Sequence, residues 1–272
     1  MAQKQGIRAA GTGGVCLIGA GPGAGDLLTL RGAQRLGQAE VVLVDELVGS
    51  EVLDYVPAHA RIVRVGKRGG GKATPQDFIQ RLMLRYARQG RRVVRLKGGD
   101  PLVFGRGGEE LAFLGQQGIP VEVVPGISSG LAVPATLGIP VTHRHYCHGV
   151  TLVTGHTREN GEPDWAALAK TGTTLVIYMG LSRLPSICQG LLAGGLPFQT
   201  PAAVIAQGTL PGQRQVIGSL ADLEARVNAA GLLAPALIVV GDVVGLAWQA
   251  AIAGTPGAKD GPAPLCPQRR VA

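Results

Sequence analysis

The sequence predicts an α/β protein: two α/β domains with largely parallel sheets and a ligand cleft between them. Three observations predict it. Short, continuously apolar runs of strand length alternate with helical patterns, as in parallel sheets covered on both faces. Glycine is abundant, 43 of 272 residues, while aromatics are only 4%, which suits many tight turns and close backbone approaches. Residues 125–144 are rich in Gly, Pro, Ser and Thr and divide one set of elements from another.

In the first set, strands are expected at 15–18, 41–44, 62–65, 92–96 and 121–124, with helices at 28–37, 74–89 and 107–117. The second helix carries explicit signals: Thr74 as cap, Pro75 at the first helical position, Asp77 closing a capping box and Gly90 as terminator. In the second set, strands are expected at 150–154, 174–179, 202–206 and 236–240, and helices at 165–169, 183–193 and 220–230. Domains are placed at 14–130 and 131–250, flanked by a flexible N-terminus (1–13) and a disordered, Gly/Pro-rich tail (251–272).

The net charge of +8 is local. Between Arg61 and Glu110 there are 13 Lys/Arg and 4 Asp/Glu. Arg81, Arg85 and Arg88 fall opposite Phe78, Leu82 and Tyr86 at helical spacing and read as a solvated face. Lys67, Arg68, Lys97 and Arg106 lie at strand ends beside glycines and are better placed to hold a polyanionic small molecule. Scarce aromatics argue against a stacking platform for single-stranded nucleic acid. Cys16, Cys147, Cys188 and Cys266 show no paired spacing and read as reduced thiols of a cytoplasmic protein. No signal-peptide core is expected, and the apolar run 15–20 is too short to span a membrane.

The segment from Leu96 to Glu110 is the most informative. It follows an apolar strand and brings five glycines together with Lys97, Asp100, Arg106, Glu109 and Glu110. In open α/β folds ligands bind at such strand ends. An earlier glycine run, Gly19 to Asp26, fits the dinucleotide fingerprint through Gly19, Gly21 and Ala24, with Asp45 where a ribose-binding acid would lie. Pro22 and Gly25 fall where the phosphate-binding helix of that motif should start. Asp45 at the end of a buried strand reads equally as a general base or as a turn acid. His143, His145, Cys147 and His148 match no zinc frame, and no metal is expected.

Together these segments resemble the tetrapyrrole methylase family. The resemblance rests on Gly21-Pro22-Gly23, Asp45-Glu46-Leu47-Val48, Gly66-Lys67-Arg68, the block from Gly98 to Glu110, and Pro125-Gly126-Ile127-Ser128-Ser129. It continues through Gly138 to Arg144, Thr154-Gly155-His156 and Tyr178-Met179-Gly180. It spans about Val15 to Trp248. It implies two α/β domains with S-adenosyl-L-methionine in the cleft between them. It implies C-methylation of uroporphyrinogen III at ring carbons 2 and 7, giving precorrin-2, or methylation of a later corrin intermediate. By resemblance, the cofactor contacts are Pro22, Gly98, Gly99, Asp100, Val103, Ser128, Ser129, Met179, Gly208 and Ala236. Asp45 is the proton acceptor and Lys67 the proton donor. Arg106 serves the reaction mainly by binding carboxylates, with Arg68, Glu109 and Arg144 around the tetrapyrrole. A homodimer without nucleic-acid or membrane partners is implied. The chain departs from the family pattern at Ala24-Gly25, Val44 and His145. A nicotinamide- or flavin-dependent oxidoreductase and a basic nucleic-acid-binding module are the readings from other classes.

Overall fold

The computed structural model describes residues 13–66, 74–155 and 161–247. The flexible N-terminus expected over 1–13 (Gly13 apart), the tail expected over 251–272, and Lys67 and Arg68 lie outside these residues.

The first sheet is built from β1 (Val15–Gly19), β2 (Val41–Val44), β3 (Arg61–Arg64), β4 (Val93–Lys97) and β5 (Val121–Val124). All pairings are parallel, in the order β3-β2-β4-β1-β5. Successive strand residues point to opposite faces. Ile18, Val42, Val44 and Leu96 therefore pack with Leu36 of α1 (Leu30–Leu36). Leu17, Leu43 and Val93 pack on the other face with α2 (Gln76–Arg88) and α3 (Gly107–Gln116). Burying each such Leu or Ile is worth about 1.5–3 kcal/mol. Because every strand runs the same way, Gly19, Asp45, Gly66, Gly98 and Pro125 all emerge at one edge.

The capping box expected for α2 does not form. Pro75 is the N-cap, and the Thr74 hydroxyl instead donates to the Gly66 carbonyl at 3.2 Å. Asp77 pairs with Arg81 at 2.7 Å. Arg81, Arg85 and Arg88 are exposed as expected. The buried stripe, however, is Ile79, Met83 and Ala87, spaced by four, and Phe78 is left 49% exposed.

The second sheet contains β6 (Val150–Thr154), β7 (Thr174–Tyr178), β8 (Pro201–Ala206), β9 (Arg214–Ser219) and β10 (Ala236–Val240), in the order β6-β7-β10-β8-β9. Only β6 and β7 are parallel; the other pairings are antiparallel. The expectation of a largely parallel second sheet is corrected here. The connection 207–213 is too short for a parallel crossover, which needs a dozen or more residues. β9 escaped the sequence reading because it is half-exposed and not a continuous apolar run. One face carries α5 (Trp165–Ala169), α6 (Leu184–Ala193) and α7 (Leu223–Ala230) around Trp165, Ile177, Ile187 and Leu223. The other carries α4 (Ser129–Ala135), whose Val133 packs with Val176, Ala203 and Leu237. No helix among the described residues is long and apolar enough to cross a membrane.

Candidate active site

The carboxyl edge of the first sheet faces one end of the second, across a cleft of about 450 Å³. This lies within the usual size of small-molecule sites, roughly 300–1,000 Å³. The second sheet contributes the end of β7 (Tyr178, Met179), the loop after β8 (Gln207, Gly208, Leu210) and the start of β10 (Pro235, Ala236, Leu237). Hydrogen bonds tie the halves together at its rim. The Ala24 N–H donates to Thr209 Oγ1 at 3.1 Å, and the Gly130 N–H donates to the Tyr178 hydroxyl at 2.7 Å.

The glycines of the sequence motifs have a specific physical task. A Cβ on Gly126 would lie 2.2 Å from the Gly99 carbonyl oxygen, and one on Gly19 2.5 Å from the same atom. The strand ends of β1, β4 and β5 thus pack backbone on backbone. Gly21 and Gly99 also exchange hydrogen bonds, Gly99 N–H to Gly21 O at 2.6 Å and the reverse at 3.2 Å. Gly99 itself has φ +64° and opens onto the cleft: the nearest heavy atom to a Cβ there is 3.8 Å away. Asp100 braces this junction. Its Oδ1 accepts from the Leu102 N–H at 2.8 Å and its Oδ2 from the Gly126 N–H at 3.1 Å.

Among the described residues, five non-glycine residues adopt positive φ: Phe104, Arg106, Met179, Gln207 and Thr209. Four line the cleft and Thr209 adjoins it. Each left-handed residue costs about 1–3 kcal/mol, and such strain gathers at functional sites.

Behind Asp45 lies a buried ionic network. Arg95 is 2% exposed, Lys97 3% and Glu110 0%. Arg95 Nη2 donates to Asp45 Oδ1, and its Nε to Glu110 Oε1 at 3.1 Å. Lys97 Nζ stands 3.5 Å from both Asp45 Oδ2 and Glu110 Oε2. Burial, followed by the Arg95 charge, lowers the Lys97 pKa from its ordinary value. The expectation that Lys97 faces a polyanion is therefore corrected, because two internal carboxylates already share it. At the rim, Arg106 forms a two-bond pair with Glu109, at 2.7 and 3.0 Å. That bond raises the Arg106 pKa further, so it stays a cation.

All ten residues assigned to the cofactor line the cleft: Pro22, Gly98, Gly99, Asp100, Val103, Ser128, Ser129, Met179, Gly208 and Ala236. Asp45 and Arg106 do as well. Glu109 joins the site through Arg106. Arg144 does not line it. Arg144 is exposed in the turn before β6, where the His148 N–H meets the Gly172 carbonyl, at the strand-start end of the second sheet. Lys67 and Arg68 lie outside the described residues. Sequence reading assigned no role to Arg95, Gln76, Glu110, Phe104 and Tyr178. The Tyr178 hydroxyl meets Ser128 Oγ at 2.6 Å, and its ring lies 4.8 Å from that of Phe104. Two charges inside an otherwise apolar β4 were the available signal for Arg95 and Lys97.

The geometry disfavours a dinucleotide site. In the dinucleotide fold β1 lies beside β2, and its first helix points its N-terminus at the pyrophosphate. Here β4 separates β1 from β2. A 3-10 turn, Gly25–Leu27, intervenes before α1 starts at Leu30, capped by Thr29. No group of His, Cys, Asp and Glu able to hold a metal occurs among the described residues.

The chain matches the family of Tetrapyrrole (Corrin/Porphyrin) Methylases over residues 14–224. It is 53% identical to a uroporphyrinogen-III C-methyltransferase of Pseudomonas aeruginosa over 85% of this chain and 94% of that one. It is 51% identical to siroheme synthase 2 of Aeromonas hydrophila over 86% of this chain. This chain spans only about half of that relative, 50% of its length. The uroporphyrin-III C-methyl transferase of Thermus thermophilus, solved with S-adenyl homocysteine, superposes with a TM-score of 0.74 at 43% identity, covering 86% of this chain and 100% of that one. A family match over most of the chain, close relatives along the same length, and a shared two-sheet architecture around one cleft lead to one assignment: the chain belongs to the tetrapyrrole (corrin/porphyrin) methylases.

Proposed function

We propose that this protein transfers methyl groups from S-adenosyl-L-methionine to ring carbons 2 and 7 of uroporphyrinogen III, giving precorrin-2. One observation carries the reading. Ten positions scattered from Pro22 to Ala236 converge on one cleft between the sheets. The residues fit the cofactor. Gly99 presents bare backbone to the cleft, and Asp100, Ser128 and Ser129 bring polar groups to the same wall. Val103, Met179 and Ala236 add apolar surface. The P. aeruginosa relative is named for this reaction, and the T. thermophilus relative was solved with the demethylated product of the cofactor.

S-adenosylmethionine, when bound, supplies an electrophilic sulfonium methyl. The protein's own part is alignment, which contributes up to about 7–11 kcal/mol when reacting atoms are well placed. Leu47, Phe104, Val133 and Leu210 form apolar walls that exclude water. Arg106 attracts the carboxylates of the tetrapyrrole, with Glu109 holding its guanidinium at the rim. Asp45, at the end of β2, accepts the proton that the cationic ring formed by each methylation must lose. Lys67 and Arg68 belong to this reading as proton donor and carboxylate ligand. A cytoplasmic homodimer acting on a small tetrapyrrole, without nucleic acid, belongs to it too.

The test is direct. The purified chain is incubated with uroporphyrinogen III and methyl-labelled S-adenosylmethionine, and the product is weighed. A product heavier by two methyl groups is expected. Methylation only of a later corrin precursor would move the chain to that step. Binding of NAD or FAD, without binding of S-adenosylhomocysteine, would restore the oxidoreductase reading.

A further inference from the structure

The ionic network behind Asp45 has a member that never reaches the cleft. Residues 93, 95 and 97 of β4 share one face. Val93 joins the apolar layer under α2 and α3, and Arg95 and Lys97 extend the same stripe toward the cleft. Glu110 on α3 is fully buried beneath them and is not a cleft-lining residue. Its Oε1 accepts from Arg95 Nε at 3.1 Å and from Gln76 Nε2 at 3.0 Å. Its Oε2 is the one buried side-chain polar atom among the described residues with no hydrogen bond of ordinary geometry. Lys97 Nζ is nonetheless 3.5 Å from it.

Stability alone does not explain such a network. Apolar side chains of similar volume often replace buried ion pairs at no loss, or with a gain. The arrangement acts on charge instead. Two cations face two anions, one at the cleft and one behind it. Were Glu110 neutral, Arg95 and Lys97 would have Asp45 as their sole contacting counter-ion among the described residues. A carboxylate held by two unshared cations is a poor proton acceptor.

We propose that Glu110 is a positioning residue: from behind the cleft it shares Arg95 and Lys97 with Asp45, and so sets both the aim of Asp45 and its affinity for a proton. The proposal rests on the methyl-transfer reading, in which Asp45 takes the ring proton. Burial and then the Arg95 charge depress the proton affinity of Lys97, and the two carboxylates on either side of it act against that depression. Among the described residues, the other charged groups that line the cleft beside Asp45 are Glu46, Asp100 and Arg106. Gln76 and Thr74, which reach it from the α2 side, are neutral.

The experiment titrates the Asp45 carboxyl carbon by NMR in the full chain labelled with ¹³C-aspartate, the signal being assigned with Asp45→Asn. No substrate is needed, so a failed methylation assay overturns the functional reading while this titration still decides the role of Glu110. Glu110→Gln is expected to lower the Asp45 midpoint by about one pH unit, and Arg95→Gln to raise it by a similar amount, as expected for a nearby charge. In turnover, Glu110→Gln should reduce kcat about tenfold and move the acid limb of the kcat–pH profile downward, following the weaker base. KM for the tetrapyrrole and affinity for S-adenosylhomocysteine should stay within twofold. A purely structural role would not displace the midpoint in opposite directions in the two variants. If Glu110→Gln does not fold, Glu110→Asp keeps the charge at a longer contact and should give a smaller downward shift. Shifts of the same sign in the Glu110 and Arg95 variants, or no shift in the Glu110 variant, would overturn the proposal.

Discussion

Asp100 offers the sharpest test of how the cleft is built. From sequence, its carboxylate is expected to meet the cofactor directly. In the structure both of its oxygens already accept backbone N–H groups, from Leu102 at 2.8 Å and Gly126 at 3.1 Å. The second bond spans from the β4 loop to the β5 loop, across the contact where Gly126 lies on the Gly99 carbonyl. Asp100→Asn preserves shape, but presents an NH₂ to one of those two donors and removes the charge from both bonds. A hydrogen bond to a charged group is worth about 1.5–3 kcal/mol. Partial exposure brings the expected loss to the lower part of that range, about 1.5–2 kcal/mol. For a chain of this size each kcal/mol moves Tm by roughly 2–4 °C, so the ligand-free variant should melt about 3–8 °C lower. Because the same two loops wall the cofactor side of the cleft, S-adenosylhomocysteine should bind about tenfold more weakly, equivalent to about 1.4 kcal/mol. Differential scanning calorimetry gives the first quantity and titration calorimetry the second. An unchanged ligand-free Tm with strongly weakened binding would refute the brace and make Asp100 a direct ligand contact. A lowered Tm with unchanged affinity would show that the brace does not shape the site.

Three further outcomes follow from particular contacts. Arg106→Gln should raise KM for the tetrapyrrole by roughly 10- to 100-fold, corresponding to about 1.5–3 kcal/mol. Reversing the exposed Arg81, Arg85 and Arg88 should leave kcat/KM within twofold, and steady-state kinetics showing the opposite ranking would misplace the substrate. Gly126→Ala drives a Cβ to 2.2 Å from a backbone oxygen that cannot swing away, at an expected cost of about 3 kcal/mol. Gly115→Ala in α3 meets no atom within 4 Å and should gain up to about 1 kcal/mol; equal shifts in thermal melts would defeat the backbone-packing account. The Cys16 thiol is pushed up to about 12, mainly by burial and then by Glu122, and that of Cys188 to about 11, mainly by burial. Neither is a thiolate at pH 8, so peptide mapping after iodoacetamide should find both unmodified in the native protein.

Strong local signals were legible in the sequence. Continuous apolar runs such as Val41 to Val44 have one low-energy use, a strand covered on both faces, and they form one. The glycine and acid block after Leu96 marked the cleft because bare backbone and charge together at a strand end have few structural uses. The join at 125–144 concealed α4, because a helix carrying Gly130 and Pro134 has weak propensity and is held by Val133 packing on the second sheet. The half-exposed β9 was missed because it is not an apolar run.

By itself the sequence determined the class of fold, the family and the segments that border the site, because these follow from periodicity and from motifs read along the chain. Only the tertiary structure decided what those segments do to one another. It turned three motif glycines into a backbone junction, engaged both oxygens of Asp100 internally, placed Arg144 away from the cleft, and set Glu110 behind Asp45. Such outcomes depend on contacts between residues distant in sequence. A carboxylate's role is set by the charges folded around it, and no single segment carries them all.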